Sequence, residues 1–455
     1  MTRRFKTPDY DATLDLQVSV REVLPPNHLA RFIVDVIAQL DLSAVYARYG
    51  TRGGEPYAPE LLLGVLFYGY ATGVFSSRRM EQATYESIPF RFIAGNLHPD
   101  HDTIAHFRQS FLGEITEVFV QVLLLARTAG VLHLGNISLD GTRIHADASK
   151  HQAVSYRRLL ELETRLRREV EELLTLSEQA DRREAVLPEG LVVEDEVALR
   201  QARLENLAQA KAVLAARAQE RYEHERAAYA AKLQAREEKA RKTGRKPRGR
   251  DPKPPTPGPL DTDQYNFTDP ESRIMKNSHN TAFDQHYNAQ VAVDQDSRLV
   301  VASTLSNHPV DQGEALPTVD AIAAEVGRPQ GAALDTGYFG ASNVAGLEAR
   351  GIEPYIATGR ESHRWNWRAY FAEEAAAPPE DASLRVKMAY KLRTAIGQAI
   401  YRLRKCTVEP VIGIIKEVLG FRQFSLRGQA ACAGEWVLAC TAYDLKRLHV
   451  LLAVS

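Results

Sequence analysis

The chain has 455 residues, 44% of them hydrophobic and 25% charged, with a formal net charge of −1. That length calls for two or three structural units, and the near-zero charge alone neither requires nor rules out a nucleic-acid partner. No apolar run approaches the ~20 residues that span a bilayer; the longest, Val118 to Leu125, is interrupted by Gln121. Three cysteines without a C-x-x-C pair (Cys406, Cys432, Cys440) exclude a zinc ribbon or a disulfide framework and point to a reducing cytosol. The basic start Met-Thr-Arg-Arg-Phe-Lys has no apolar stretch behind it, so no secretory signal is expected and the location is expected to be cytoplasmic.

Residues 1–130 read as helical. Leu29–Leu40, Pro59–Tyr70, Ser77–Tyr85 and Ile115–Ala129 carry apolar residues at helical spacing, with Ser76-Ser77 and Asp102-Thr103 as expected N-caps. The segment Ile137 to Ile144 reads as a strand. Residues 152–240 then switch to a long helical hairpin marked by Leu159, Leu162, Leu166, Leu173 and Leu176 on one arm and Val197, Leu204, Leu207 and Leu214 on the other. Its expected turn is Leu187-Pro188-Glu189-Gly190. From Lys239 to Lys253 the sequence holds eight Lys/Arg and one acid, Asp251, before a Pro-rich stretch that reads as a linker.

Strand character returns at Tyr287–Val293 and Leu299–Ser303, joined by the turn Asp294-Gln295-Asp296-Ser297 as an antiparallel hairpin. A helix over Gly313–Val326, a short strand ending at Asp335, a helix over Ala341–Arg350 and a strand over Glu353–Ala357 follow. Ala389–Gly420 and Gly434–Leu451 read as helices. The pattern predicts a mixed-sheet α/β domain interrupted by the helical hairpin.

Two acids sit at or near strand centres or ends: Asp140 after Ile137-Ser138-Leu139, and Asp335 after Ala332-Ala333-Leu334. An ionised carboxylate at such a place is costly unless it is hydrogen-bonded, paired or bound to a cation, and strand carboxyl ends are where α/β sheets build their sites. Singly, either Asp reads as a turn or capping residue. A third acid, Glu409, shares a helical face with Lys416 and, less firmly, with Arg402 and Lys405. Alone, that face reads as a salt-bridged surface. Pro410 either kinks this helix or falls in the first turn of a new one capped by Thr407. Three carboxylates suit hard cations such as magnesium, and two such ions serve phosphodiester chemistry. His145 and Asp147 read as surface polarity, Asp311 as a helix N-cap, and Trp365 and Trp367 as packing residues or base-stacking ones.

The segments Ser138-Leu139-Asp140-Gly141-Thr142, Leu334-Asp335-Thr336-Gly337-Tyr338 and Thr407 to Lys416, in that order, resemble those of bacterial insertion-sequence transposases of the DDE class. Pro59 to Tyr70, Ser76 to Arg79 and Pro99 to Arg108 are similar to the helical domain that opens such proteins, and Asp269 to Met275 and Asp444 to Leu448 also match family segments. The resemblance implies an all-α N-terminal DNA-binding domain over residues 1–130. It also implies a ribonuclease H-like α/β catalytic domain over 131–150 and 260–455, interrupted by a coiled-coil hairpin (151–240) and a basic linker (241–259).

The implied function is metal-dependent cleavage at element ends and strand transfer into target DNA. The alternatives are a nuclease of the same fold or an inactive DNA-binding descendant. Asp140, Asp335 and Glu409 would hold two Mg2+ ions, with Mn2+ a substitute; Glu417 is a rival for the third acid. Tyr401, Arg404, Glu409 and Lys416 loosely follow a Tyr-Arg-Glu-Lys signature, and Lys405 competes with Arg404 for the phosphate-binding place. Arg402, Arg78, Arg79 and Arg108 complete the expected DNA contacts. The implied partners are element ends with terminal inverted repeats, target DNA and a second copy of the chain, in the bacterial nucleoid. The hairpin would serve dimerisation or clamp DNA.

Overall fold

A computed structural model describes residues 5–12, 19–50, 54–182, 191–245, 249–277, 282–359 and 377–454. The expected turn 187–190 and the tryptophans at 365 and 367 lie outside the described residues. The chain divides into two compact units, residues 1–147 with 271–455, and residues 148–270.

In the first unit the helix Pro59–Thr72 lies at the centre of the N-terminal helices. Twelve of its residues are buried, so it is apolar all round rather than amphipathic. Proline opens it and Gly73, at φ 82°, ends it in the left-handed conformation. Neighbouring helices press close: a Cβ on Gly64 would stand 2.6 Å from the Ile93 side chain. The cap of His101–Ser110 is Asp100, whose carboxylate accepts from Thr103 N at 2.7 Å, two residues before the expected cap. The long C-terminal helix Gln429–Val454 packs on Pro59–Thr72 and on Leu112–Thr128. Cys432 and Cys440 are buried in it. No single helix among the described residues is long and apolar enough to cross a membrane.

The strands are β1 (Asn136–His145), β2 (Ala153–Ser155), β3 (Gln264–Asn266), β4 (Arg273–Lys276), β5 (Phe283–Asp294), β6 (Val300–Ser306), β7 (Gly331–Leu334) and β8 (Glu353–Ile356). The first unit's sheet is mixed. Its order is β4-β5-β1-β7-β8, with β6 also pairing β5. β5 runs antiparallel to β1, β4 and β6, whereas β1, β7 and β8 are mutually parallel. The β5–β6 turn closes as expected: the Asp294 carboxylate accepts from the backbone and hydroxyl of Ser297. β4 is an addition, four residues without a long apolar alternation to announce it. The helix expected over Gly313–Val326 covers only Ala315–Asp320, after which the chain closes in single turns and Asp320 pairs with Arg350.

Pro410 lies inside a continuous helix, Ala395–Gly413, capped by Thr394. Thr407 is therefore no cap; its hydroxyl donates back to the Leu403 carbonyl at 2.7 Å. A π-helical turn, Ile414–Val418, follows.

The second unit is the helical hairpin. Its shorter arm is Tyr156–Asp181 and its longer arm Val193–Thr243. Leu159, Leu166, Leu207 and Leu214 form its buried seam, and Glu163 and Lys211 pair across it at 2.5 Å. The strands β2 and β3 pair at its base.

Candidate active site

The sheet register places the first two acids. β1 and β7 pair in parallel up to Leu139 opposite Leu334. The next residue on each strand is Asp140 and Asp335, so the two carboxylates leave the sheet side by side where the parallel pairing ends. Asp335 Oδ1 accepts from Gly337 N at 2.7 Å and caps the tight turn Thr336–Tyr338. Asp140 Oδ1 accepts from Gly141 N at 2.9 Å.

The strand period of two aims Ser138, Asp140 and Thr142 at one face, and the helix Ala395–Gly413 with its π-turn meets each in succession. The Thr407 hydroxyl bonds Ser138 Oγ at 2.8 Å, and Gln295 links Ser138 to the Ile400 carbonyl. Arg404 Nη1 donates to Asp140 Oδ2 at 2.8 Å, and its Nη2 donates to Glu409 Oε1 at 3.0 Å. Lys416 Nζ donates to Thr142 Oγ1 at 2.9 Å and to the Arg143 carbonyl at 3.1 Å. The third acid thus joins the first through a guanidinium.

The electrostatics follow from burial and crowding. Burial pushes the Asp140 carboxyl up to about 6; Arg404 pulls it down, while Asp335 and Glu409 push it further up. Burial lowers the Lys416 ammonium below the usual lysine range. Among the described residues no three His, Cys, Asp or Glu side chains stand together closely enough to hold one ion. Arg404 occupies the space between Asp140 and Glu409. The donors nonetheless fit a hard divalent cation in kind. They are all oxygens, and magnesium retains several waters, so two adjacent carboxylates suffice to begin a site.

Some expected DNA contacts are placed inside the protein, and these correct the sequence reading. Arg108 is 5% exposed: its Nη1 donates to Tyr70 Oη at 3.1 Å and to the Phe75 carbonyl at 3.0 Å, near the fully buried Glu435. A guanidinium committed to a buried carboxylate is not available to a phosphate. Tyr401 is likewise buried, packed with Ala333 and Ala357 under the sheet. Arg404 is engaged by the two acids. Arg402, Lys405, Arg78 and Arg79 lie exposed, the first two on Ala395–Gly413 and the others on Ser77–Glu86. Glu417, the rival third acid, pairs with Arg422 away from Asp140.

A fourth carboxylate was not legible as part of the site. Asp311 Oδ1 accepts from Asn288 Nδ2 at 2.8 Å and Gln290 Nε2 at 3.0 Å, both on β5. A Cβ on Gly141 would stand 2.9 Å from Asp311 Oδ1, and one on Gly337 would stand 3.8 Å from Asp311 Oδ2. Gln290 also accepts from the buried Tyr338 hydroxyl, whose pKa burial raises with Asp311, Asp140 and Asp335 nearby. Asp311 is no side-chain cap, because Val310 takes that position. His145, expected as surface polarity, is half-buried and packs its ring 4.2 Å from that of the buried His286.

A mixed sheet with two carboxylates side by side where the β1–β7 pairing ends, and a helix-borne acid beside them, suits phosphoryl transfer. Comparison with known families agrees and is narrower. Residues 18–110 match the family described as Transposase domain (DUF772), and residues 373–449, which include Glu409, match the Transposase DDE domain. The protein is a polynucleotidyl transferase that acts on DNA. The two matched segments together support a DDE-class transposase of the insertion-sequence type. No curated protein and no solved structure matches the chain.

Proposed function

We propose that the chain cuts DNA at the ends of an insertion sequence and joins the released 3′-hydroxyls to target DNA, with Asp140, Asp335 and Glu409 as its catalytic acids. The observation that carries this reading is the Leu139–Leu334 register, which leaves Asp140 and Asp335 adjacent at the end of a parallel pair. The ribonuclease H-like assignment draws support from the sheet order, with one antiparallel strand, β5, beside the central β1.

Two divalent cations, Mg2+ with Mn2+ as a substitute, would activate the attacking oxygen and stabilise the leaving one. Asp140 and Asp335 would hold them, and Glu409 would join once Arg404 releases it. Lys416 keeps β1 and the π-turn together beside the acids, where its ammonium can meet a flanking phosphate. Arg402 and Lys405, with Arg78 and Arg79, offer exposed cations for the DNA backbone.

In this reading residues 1–130 recognise terminal inverted repeats, 131–150 with 260–455 form the catalytic domain, the coiled-coil arm spans 151–240 and the basic linker 241–259. Two element ends are cut together by a homodimer on nucleoid DNA. The test supplies a pre-cleaved duplex, taken from the repeats that flank the gene, with a plasmid target and Mg2+. Joined products are expected from the wild type and none from Asp140→Asn. Cleavage without joining would make the chain a nuclease of the same fold. Joining by Asp140→Asn would remove Asp140 from the site.

A further inference from the structure

The two arms of the hairpin unit differ in length and in charge. At 1.5 Å per residue the shorter arm spans about 39 Å and the longer about 76 Å. The last buried residue of the longer arm is Ala218, so residues 219–243 run about 37 Å beyond the seam. Charge follows the same division. Residues 156–205 carry nine Lys/Arg against thirteen Asp/Glu, whereas residues 221–253 carry twelve against five.

That basic extension is not a bare helix. The proline-rich segment returns along it and is pinned in two places. Arg221 donates to both Asp263 carboxylate oxygens, at 3.0 and 2.9 Å, and to the Gly258 carbonyl at 2.9 Å. Arg236 donates to Asp251 Oδ1 at 2.8 Å. Between helix and return lies a cleft of about 590 Å³, within the ordinary range for ligand clefts. Lys232 lines it from the helix, and Arg250 and Lys253 from the return; Glu225 is the one acid on its wall. Arg221 lines it too and is paired with Asp263, whereas Lys232, Arg250 and Lys253 are exposed and none of these three is in an ion pair among the described residues. Tyr229 and the prolines around Pro254 form an apolar flank.

Like charges fixed around one concavity concentrate a positive potential that an anion relieves. We propose that this cleft and the basic helix of residues 221–243, in the hairpin unit, form a binding site for the phosphodiester backbone of duplex DNA. Its cations would take successive phosphates and Tyr229 would pack against deoxyribose. Contacts of this kind hold DNA without reading its sequence.

The test uses the full chain and a fluorescent duplex of arbitrary sequence, with anisotropy titrations across a salt series. The variant Lys232→Gln/Arg250→Gln/Lys253→Gln removes three surface charges. It should lower the slope of log affinity against log salt by about 2 to 3 and weaken binding about tenfold or more at low salt. Its far-ultraviolet circular dichroism and melting temperature should match the wild type. Glu225→Gln removes the opposing charge and should tighten binding severalfold, an effect that a damaged fold would not produce. An unchanged salt slope in the triple variant, or no gain from Glu225→Gln, overturns the proposal. Displacement of the duplex by poly-glutamate at equal charge concentration would also overturn it, in favour of an acidic protein partner.

Discussion

The Arg404 guanidinium lies 2.8 Å from Asp140 Oδ2 while its other terminal nitrogen holds Glu409 at 3.0 Å, so one buried cation neutralises two acids from different elements. Its Nε is buried without a hydrogen-bond partner among the described residues, so the side chain is held by these ion pairs rather than by a full set of bonds. A divalent ion taken up by the same carboxylates would compete with that cation. Removing Arg404 therefore has two opposite effects.

Arg404→Ala leaves Asp140 desolvated and unpaired, which should destabilise the metal-free protein by about 3 kcal/mol. It also removes the competitor, so added Mg2+ or Mn2+ should raise the melting temperature more in the variant than in the wild type. Thermal melts in chelator and at increasing metal concentration measure both. An equal metal-induced shift in the two proteins would show that the guanidinium and the ion do not share these oxygens.

Gly141 follows Asp140 on β1, donates its backbone N–H to the Asp140 carboxylate at 2.9 Å, and backs onto β5. A Cβ there would stand 2.2 Å from Gln290 Nε2, whose amide is held by Asn288 and Asp311. Gly141→Ala must push that amide or the strand aside, at a cost of about 1 to 3 kcal/mol. Strand transfer should fall further than stability accounts for, because the displaced strand carries Asp140. Joining assays well below the variant's melting temperature separate the two effects, and wild-type activity there would refute the steric argument.

The parts of the site that were legible in the sequence are those with a local pattern. Asp140 and Asp335 each follow a short apolar run and are followed within two residues by a glycine, so acid and strand are read together, although Asp140 sits inside β1 and only Asp335 opens a turn. Glu409 and Lys416 share a helical repeat. Spacing alone left Arg404 and Lys405 as rivals. Only the packing of the helix on Ser138 through Thr407 decides that Arg404 faces Asp140. Asp311 had no such signal, since its partners are Asn288 and Gln290 on β5 and its neighbour Gly337 lies in a turn further along the chain. Arg108 is expected at the DNA only through the family resemblance, and nothing local in the sequence signals its counter-charge, Glu435, which lies more than three hundred residues away.

The buried place of Arg108 has its own test. Glu435 accepts from the Tyr70 hydroxyl at 2.7 Å and from the backbone of Ser425 and Leu426 at 2.9 and 3.0 Å, and Arg108 completes the group. Arg108→Ala would strand a fully buried carboxylate, at a cost of about 3 to 5 kcal/mol. Below the variant's melting temperature its affinity for duplex DNA and the salt dependence of that affinity should equal the wild type's. A salt slope reduced by about one would instead restore Arg108 as a phosphate contact.

His286 gives the fold a defined acid limit. Its ring is buried against His145, and because a carbonyl can only accept, its Nδ1–H donates to the Asp284 carbonyl at 2.8 Å. Burial lowers its pKa to about 4, and the neighbouring His145 adds to that while Asp284 opposes it. The unfolded chain protonates a histidine near 6.5. Between those values the unfolded state binds a proton that the folded state refuses. The neutral histidine's contribution is thus fully present above pH about 6.5 and is lost as the pH falls toward 4, a loss of up to about 3 kcal/mol. His286→Gln keeps an amide for the Asp284 carbonyl and does not titrate. Urea denaturation from pH 7.5 to 4.5 should therefore show a shallower decline for the variant, with the two curves closest at the upper end. Parallel curves across that range would mean that His286 accepts its proton in place, and that the acid sensitivity of this sheet lies elsewhere.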